Sequence, residues 1–166
     1  MRFLSIVGAL AALVVLLAGC GGSAAESSSA QAIQLDADLY RIGEIEKKWH
    51  QATSHHDIDL MMSLWAEDAT FTVDAGRTLT GKQEIRDFWL AAPVFQPGTN
   101  WVSETPAYKI RATVNGDKGT LYFECHYVDP ATEKVVRVVG AAQQVARING
   151  EWLITNNVGA SPILAP

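Results

Sequence analysis

Leu64–Trp89, LWAEDATFTVDAGRTLTGKQEIRDFW, is the stretch whose reading decides the fold. Ala69–Asp74 alternates β-branched and aromatic residues with small or polar ones, the pattern of a strand with one buried face. Asp74-Ala75-Gly76-Arg77 reads as a turn, and Thr78–Thr80 as a brief second strand. Thr80 and Gln83 have capping-box spacing and predict a helix that buries Ile85, Phe88 and Trp89. Pro93 and the Gln96-Pro97-Gly98 turn stop that helix.

Upstream, Leu35, Leu39, Ile42, Ile45, Trp49 and Ala52 recur at helical spacing, with Asp36, Glu44, Lys47 and Lys48 on the other side. This predicts a long amphipathic helix from Ile33 to about Ser54. Asp57 is a suitable N-cap for a second helix that buries Ile58, Met61, Met62 and Trp65. Downstream the chain reads as strands: 101–104, 108–114, 120–128, 134–148 and 151–158. Asn115-Gly116 and Asn149-Gly150 mark hairpins, and Asp129-Pro130 a turn. Pro106 suggests a bulge or kink. Two helices, then a strand pair, a third helix and an antiparallel run give an α+β domain.

The ends of the chain read differently. Arg2 followed by the apolar run Phe3–Leu17 is too short to span a bilayer and has the form of a secretory signal. Leu17-Ala18-Gly19-Cys20 resembles a bacterial lipobox, which implies cleavage after residue 19, acylation of Cys20 and an extracytoplasmic, membrane-anchored protein. Residues 21–31 are rich in Gly, Ser and Ala, and the expectation is a flexible tether over 20–32. The globular domain is then expected over 33–160, with a short tail at 161–166.

The 166 residues carry a net charge of −5, one unit more negative without Arg2. An acidic surface argues against nucleic acid and against electrostatic adhesion to anionic lipid, so an anchor would depend on acyl chains. With Cys20 acylated, Cys125 has no intramolecular partner and no disulfide framework forms.

Four segments, Trp65–Phe71, Gly81–Ile85, Phe88-Trp89 and Gly150–Ile154, resemble the NTF2-like superfamily, in particular its SnoaL-like and ketosteroid-isomerase-like branch. The resemblance implies a cone in which a curved antiparallel sheet wraps a long helix around an apolar cavity. It also implies a homodimer. Ketosteroid isomerisation needs a carboxylate base with Tyr and protonated Asp as oxyanion donors. The corresponding positions here hold Val73, Trp49 and Ala141, with Asp74 one step beyond the base position, so steroid isomerisation is not expected.

The residues leave two function classes open. One is a binding module for a small hydrophobic ligand or a protein partner, its pocket lined by Trp49, Trp65, Phe71, Val73, Trp89, Trp101, Tyr122, Glu124 and Asn157. The other is a cofactor-independent isomerase, lyase or cyclase with Asp74 or His126 as general base. Tyr122, Glu124 and His126 alternate with Leu121, Phe123, Cys125 and Tyr127, and which set faces the cavity is open. His50, His55 and His56 lie close in sequence, but His50 and His55 do not share a helix face, and no metal site is expected. Cys125 reads as an inert thiol. No phosphate loop, nucleophile motif or dinucleotide fingerprint is present, and no cofactor is expected.

Overall fold

A computed structural model describes residues 22–73, 76–96, 108–129 and 131–164. Its elements are α1 (Gly22–His55), α2 (Ile58–Ser63), β1 (Trp65–Thr72), β2 (Thr78–Thr80), α3 (Lys82–Ala91), a 3-10 turn (Pro93–Phe95), β3 (Tyr108–Asn115), β4 (Lys118–Asp129), β5 (Lys134–Ile148) and β6 (Glu151–Leu164). The strands form one curved six-stranded sheet in the order β2-β1-β6-β5-β4-β3. The fold class is the expected α+β arrangement of helices packed in a curved sheet. The sheet is mixed rather than wholly antiparallel, because β1 runs parallel to β6. Residues 73–150, with α3 and the β3–β5 meander, connect that parallel pair, far more chain than a hairpin provides.

α1 buries one stripe, Asp38, Ile42, Ile45, Glu46, Trp49, His50, Ala52 and Thr53, against the sheet. It ends where His56 adopts a left-handed φ of 55° and the Asp57 amide donates back to the Ala52 carbonyl at 2.8 Å. Asp57 caps α2 as expected, its Oδ1 accepting from the Leu60 amide at 2.9 Å.

Several boundaries differ from the sequence reading. α1 is helical from Gly22, through the stretch expected to be an unstructured tether, although residues 27–36 are exposed. Ala, Ser, Glu and Gln are compatible with helix, and extending a helix already nucleated by packing carries no new nucleation cost. β1 starts at Trp65 instead of Ala69, so Trp65 belongs to the sheet and not to α2. The N-cap of α3 is Gly81, and it is Glu84 that reaches back to accept from the Thr80 amide at 2.8 Å. β6 runs on to Leu164, past the expected end of the domain. Beyond Val158 it pairs only with β5, and an edge position tolerates Pro162. The 101–104 run and Pro106 lie outside the described residues.

The two Asn-Gly hairpins form as read. At the β5–β6 turn both Asn149 (φ 51°) and Gly150 (φ 87°) take the positive φ that a two-residue hairpin turn requires. In β4, Gly119 permits close contact: a Cβ there would sit 2.4 Å from the Thr113 carbonyl oxygen and 3.2 Å from Ile42 of α1.

One polar network ties α1 to the β5–β6 hairpin. Asp38 Oδ1 accepts from Trp152 Nε1 at 3.0 Å, and Oδ2 accepts from Arg147 Nη2 at 2.6 Å and Gln34 Nε2 at 3.1 Å. Arg147 also lies over the Trp152 ring at 5.1 Å and meets Asp117 at 3.1 Å. Burial pushes the Asp38 carboxyl up, but the bonds from Gln34, Trp152 and Arg147 outweigh it and hold the carboxyl below the ordinary 3.8. The carboxylate's contribution to stability is therefore complete above that value and is lost as pH falls through the lower folded one. Asp38→Asn should cost about 1–3 kcal/mol near neutrality by leaving buried partners poorly paired. In urea melts, the wild-type and D38N stabilities should converge as the pH falls below 3.8; a difference constant with pH would contradict this assignment.

Candidate functional site

The interior of the cone is an aromatic cage. Trp49 projects from α1 and meets Trp65 of β1 (5.9 Å between ring centroids), Trp89 of α3 (5.1 Å, edge-on) and Phe123 of β4 (5.7 Å, edge-on). Phe71 of β1 stacks on Trp89 at 5.9 Å and 15°. These rings come from four elements, each at a position its helix or strand period turns inward. The ring pairs favour tilted, edge-on and offset contacts, as quadrupoles do. Two of the indoles, Trp65 and Trp89, carry a buried Nε1–H that finds no hydrogen-bond partner.

Polar groups interrupt this cage at one row of the sheet. The register aligns Phe71, Asn157, Gln143 and Leu121 side by side across β1, β6, β5 and β4. Asn157 is 0% exposed and Gln143 3%, and the nitrogen and the oxygen of both side-chain amides have no hydrogen-bond partner. Asn157 faces inward because of a register shift. Val145 pairs with Ile154 but Gln144 with Asn156, so Thr155 is an extra residue in β6. Such a bulge re-aims the side chains after it. Without it, strict alternation from Ile154 would turn Asn156 inward instead.

A second polar group stands on α1. Glu46 and His50 are one helical turn apart on the buried stripe, 6% and 5% exposed, with the Glu46 carboxylate against His50 Nδ1. Both ring nitrogens are buried without a hydrogen-bond partner, Nδ1 meeting the Glu46 carboxylate as a close contact only. The imidazole packs edge-on against Phe123 at 5.5 Å, which places it on the interior side of β4. Next on that face is Cys125. Burial pushes its thiol far above the ordinary value, and the nearby Glu46 charge adds to the effect, so it supplies no thiolate.

The structure answers which face of β4 looks inward. Leu121, Phe123, Cys125 and Tyr127 do, while Tyr122, Glu124 and His126 occupy the opposite face. Tyr122 and Glu124 therefore do not line the interior, and His126 is not placed to act as a base there. The apolar set won because only that set can pack against the aromatic stripe of α1. On the outer face the three form their own cluster with β3. Glu124 Oε1 accepts from Tyr122 Oη and from Lys109 Nζ, both at 3.2 Å, and His126 Nε2 lies 3.4 Å from Oε2. Burial pushes Glu124 up, yet the bonds from Lys109, His126 and Tyr122 hold it below the usual glutamate range. Burial and Glu124 together push Tyr122 up.

Of the remaining sequence candidates, Trp49, Trp65, Phe71, Trp89 and Asn157 come together in the interior. Val73 is half-buried at the end of β1, its amide donating to the Arg77 carbonyl at 2.9 Å. Asp74, Trp101 and Cys20 lie outside the described residues. His55 and His56 are exposed at the end of α1, apart from buried His50. Gln143 and the Glu46–His50 pair escaped the sequence reading. The i, i+4 spacing of Glu46 and His50 was a usable signal, whereas nothing local marks Gln143 as inward. Among the described residues, a surface groove of about 390 Å³ is lined by the charged Arg41, Glu44, Lys48 and Glu151 together with Ile45, Leu64, Trp152 and Leu153.

A buried polar atom without a partner costs stability, whereas an apolar replacement of similar shape does not. Gln143→Leu and Asn157→Leu should each therefore raise the unfolding free energy, by about 1 kcal/mol. Thermal melts of purified variants check this. A clear loss in both would mean that the amides are satisfied inside the folded protein.

Comparison with known proteins bears on this geometry. The family model described as SnoaL-like domain matches residues 47–153. No curated protein matches the chain. Among solved structures, an NTF2-like protein with a cystatin-like fold from Novosphingobium aromaticivorans is 16% identical. It superposes with a TM-score of 0.63, covering 84% of this chain and 89% of its own. A candidate dehydratase of the NTF2-like family from Streptomyces avermitilis is 18% identical, TM-score 0.59, covering 78% and 99%. A candidate ketosteroid isomerase from Shewanella frigidimarina is 14% identical, TM-score 0.58, covering 73% and 94%. At these identities the structural matches establish the fold. The family match spans well over half of the chain, which therefore belongs to the SnoaL-like domain family.

Proposed function

We propose that this SnoaL-like domain binds a small, flat, largely apolar molecule inside its cone and is tethered by acyl chains on Cys20 to the outer face of a membrane. One observation carries the binding reading: two buried carboxamides, Gln143 and Asn157, stand side by side with no partner in an otherwise apolar wall. Burying an amide without a hydrogen bond is unfavourable by about 1–3 kcal/mol on protein scales, and buried polar groups in folded proteins are paired with few exceptions. A ligand that offers adjacent donor and acceptor atoms on one edge, and ring or hydrocarbon elsewhere, would satisfy both amides and the cage together.

The tether reading rests on the Leu17-Ala18-Gly19-Cys20 sequence and on the apolar run before it. An exposed helical stretch over 27–36 would then hold the domain away from the bilayer. A second copy of the chain would pack on the outer sheet face, where the cross-strand pair Ala142 and Val158 stands exposed.

Native mass spectrometry of the full chain, extracted in detergent from its own host, tests these readings together. The expected spectrum shows a diacylated or triacylated chain, a dimer, and an added mass of a few hundred daltons that is lost in N157L. Unmodified Cys20 would contradict the anchor. Wild-type protein with no added mass, on repeated gentle extraction, would contradict the binding reading.

A further inference from the structure

We infer that Glu46 and His50 form a general acid–base dyad, so that the interior not only holds its ligand but exchanges a proton with it. The inference rests on the binding reading above. It uses residues which the isomerase-type positions, Trp49, Val73 and Ala141, do not include.

The geometry is that of an oriented base. The Glu46 carboxylate sits against Nδ1 across one helical turn, and its charge favours the proton on that nitrogen rather than on Nε2. The lone pair is then on Nε2, which is buried and unpartnered. A carboxylate at Nδ1 also stabilises the imidazolium formed when Nε2 takes a proton. Phe123 packs edge-on against the ring and limits its rotation. Neither residue is needed at this place for packing alone: the same stripe of α1 uses Ile42, Ile45 and Ala52 where it only fills space. A paired acid and base buried together cost desolvation that an apolar pair would not, which argues for a use beyond stability.

The facing wall supplies the complement. Gln143 lies one diagonal along the sheet from Phe123, since Phe123 pairs with Ala141 and Leu121 with Gln143. That diagonal is roughly 7 Å between strand positions, close enough for one ligand to touch Phe123 and Gln143 together. For a ligand with an acidic C–H next to a carbonyl, the C–H bond breaks and an Nε2–H bond forms. The C–H electron pair becomes the new C=C bond as the carbonyl pair moves onto oxygen, where the N–H groups of Gln143 and Asn157 can donate. The imidazolium returns the proton to another atom of the same ligand. The step is balanced without oxidant, reductant or cofactor.

The probe for the test is 5-nitrobenzisoxazole, a flat aromatic carbon acid. Its ring opens when one base removes the C–H proton: the C–H pair forms the nitrile, the N–O bond breaks, and a coloured phenolate leaves. The full chain in detergent should accelerate this above the same detergent alone. His50→Gln should lower kcat/KM by roughly 10²-fold, within the range of a lost general base. Glu46→Gln should lower it several-fold, and His126→Gln on the outer face should leave it unchanged. Quenching of tryptophan fluorescence by the probe separates the two readings. Quenching without acceleration, or acceleration that survives His50→Gln, overturns the dyad and leaves the binding reading standing. Neither quenching nor acceleration overturns both. Should His50→Gln fail to fold, ring ¹⁵N spectra of the wild type decide the matter. An Nδ1–H tautomer with a free Nε2 supports the dyad, and an Nε2–H tautomer overturns it.

Discussion

The packing of Trp49 into the concave side of the sheet is the contact on which the rest of this fold depends. Its ring reaches Trp65, Trp89 and Phe123, so one side chain of α1 joins β1, α3 and β4. An indole buries more apolar surface than any other side chain, and here that surface is shared by elements up to 74 positions apart in sequence. The sheet can surround the helix only because it curves. The register shifts in β3, β5 and β6, the left-handed φ of Lys109 and the missing Cβ at Gly119 each let a strand bend or approach α1. The start of the buried stripe of α1 is held by polar contacts instead, through Asp38 with Arg147 and Trp152.

Packing and polar pairing pull in different directions inside this cage. The most stable version of the same interior would carry Leu or Ile at 143 and 157, and an apolar pair at 46 and 50. The chain instead keeps two amides and an imidazole without hydrogen-bond partners, and a carboxylate whose contact is that imidazole. Local rules of folding are strained most densely here, where both polar atoms of two adjacent side-chain amides lack partners. The outer cluster of Tyr122, Glu124 and His126 lacks this tension, because Lys109 and the three residues themselves complete its hydrogen bonds.

Much of the fold was legible in the sequence because it is set by short-range chemistry. The strand–turn–strand–helix reading of Leu64–Trp89, the Asp57 cap and both Asn-Gly hairpins follow from local residue types. What escaped depends on distant partners. Asp38 meets residues 109 and 114 positions away, and the parallel pairing of β1 with β6 spans most of the domain. The inward turn of Asn157 could be stated as a position but not as a direction, since a single bulged residue decides it. His126 and Glu124 misled for the opposite reason: their alternation was clear, but only the helix packed against β4 fixes which face is inside. Residues 22–32 look like a linker by composition, and no local rule says that a helix packed further on will extend through them.

We propose that Gln143 and Asn157 pair with a ligand rather than with each other. A high-resolution crystal structure of the protein purified from its own host tests this most directly. The expected result is electron density for a small molecule bounded by Trp49, Trp65 and Trp89, with polar atoms within hydrogen-bond distance of both side-chain amides. An interior in which the two amides bond to one another or to protein groups, with the rings closed over them and no space between, would contradict it.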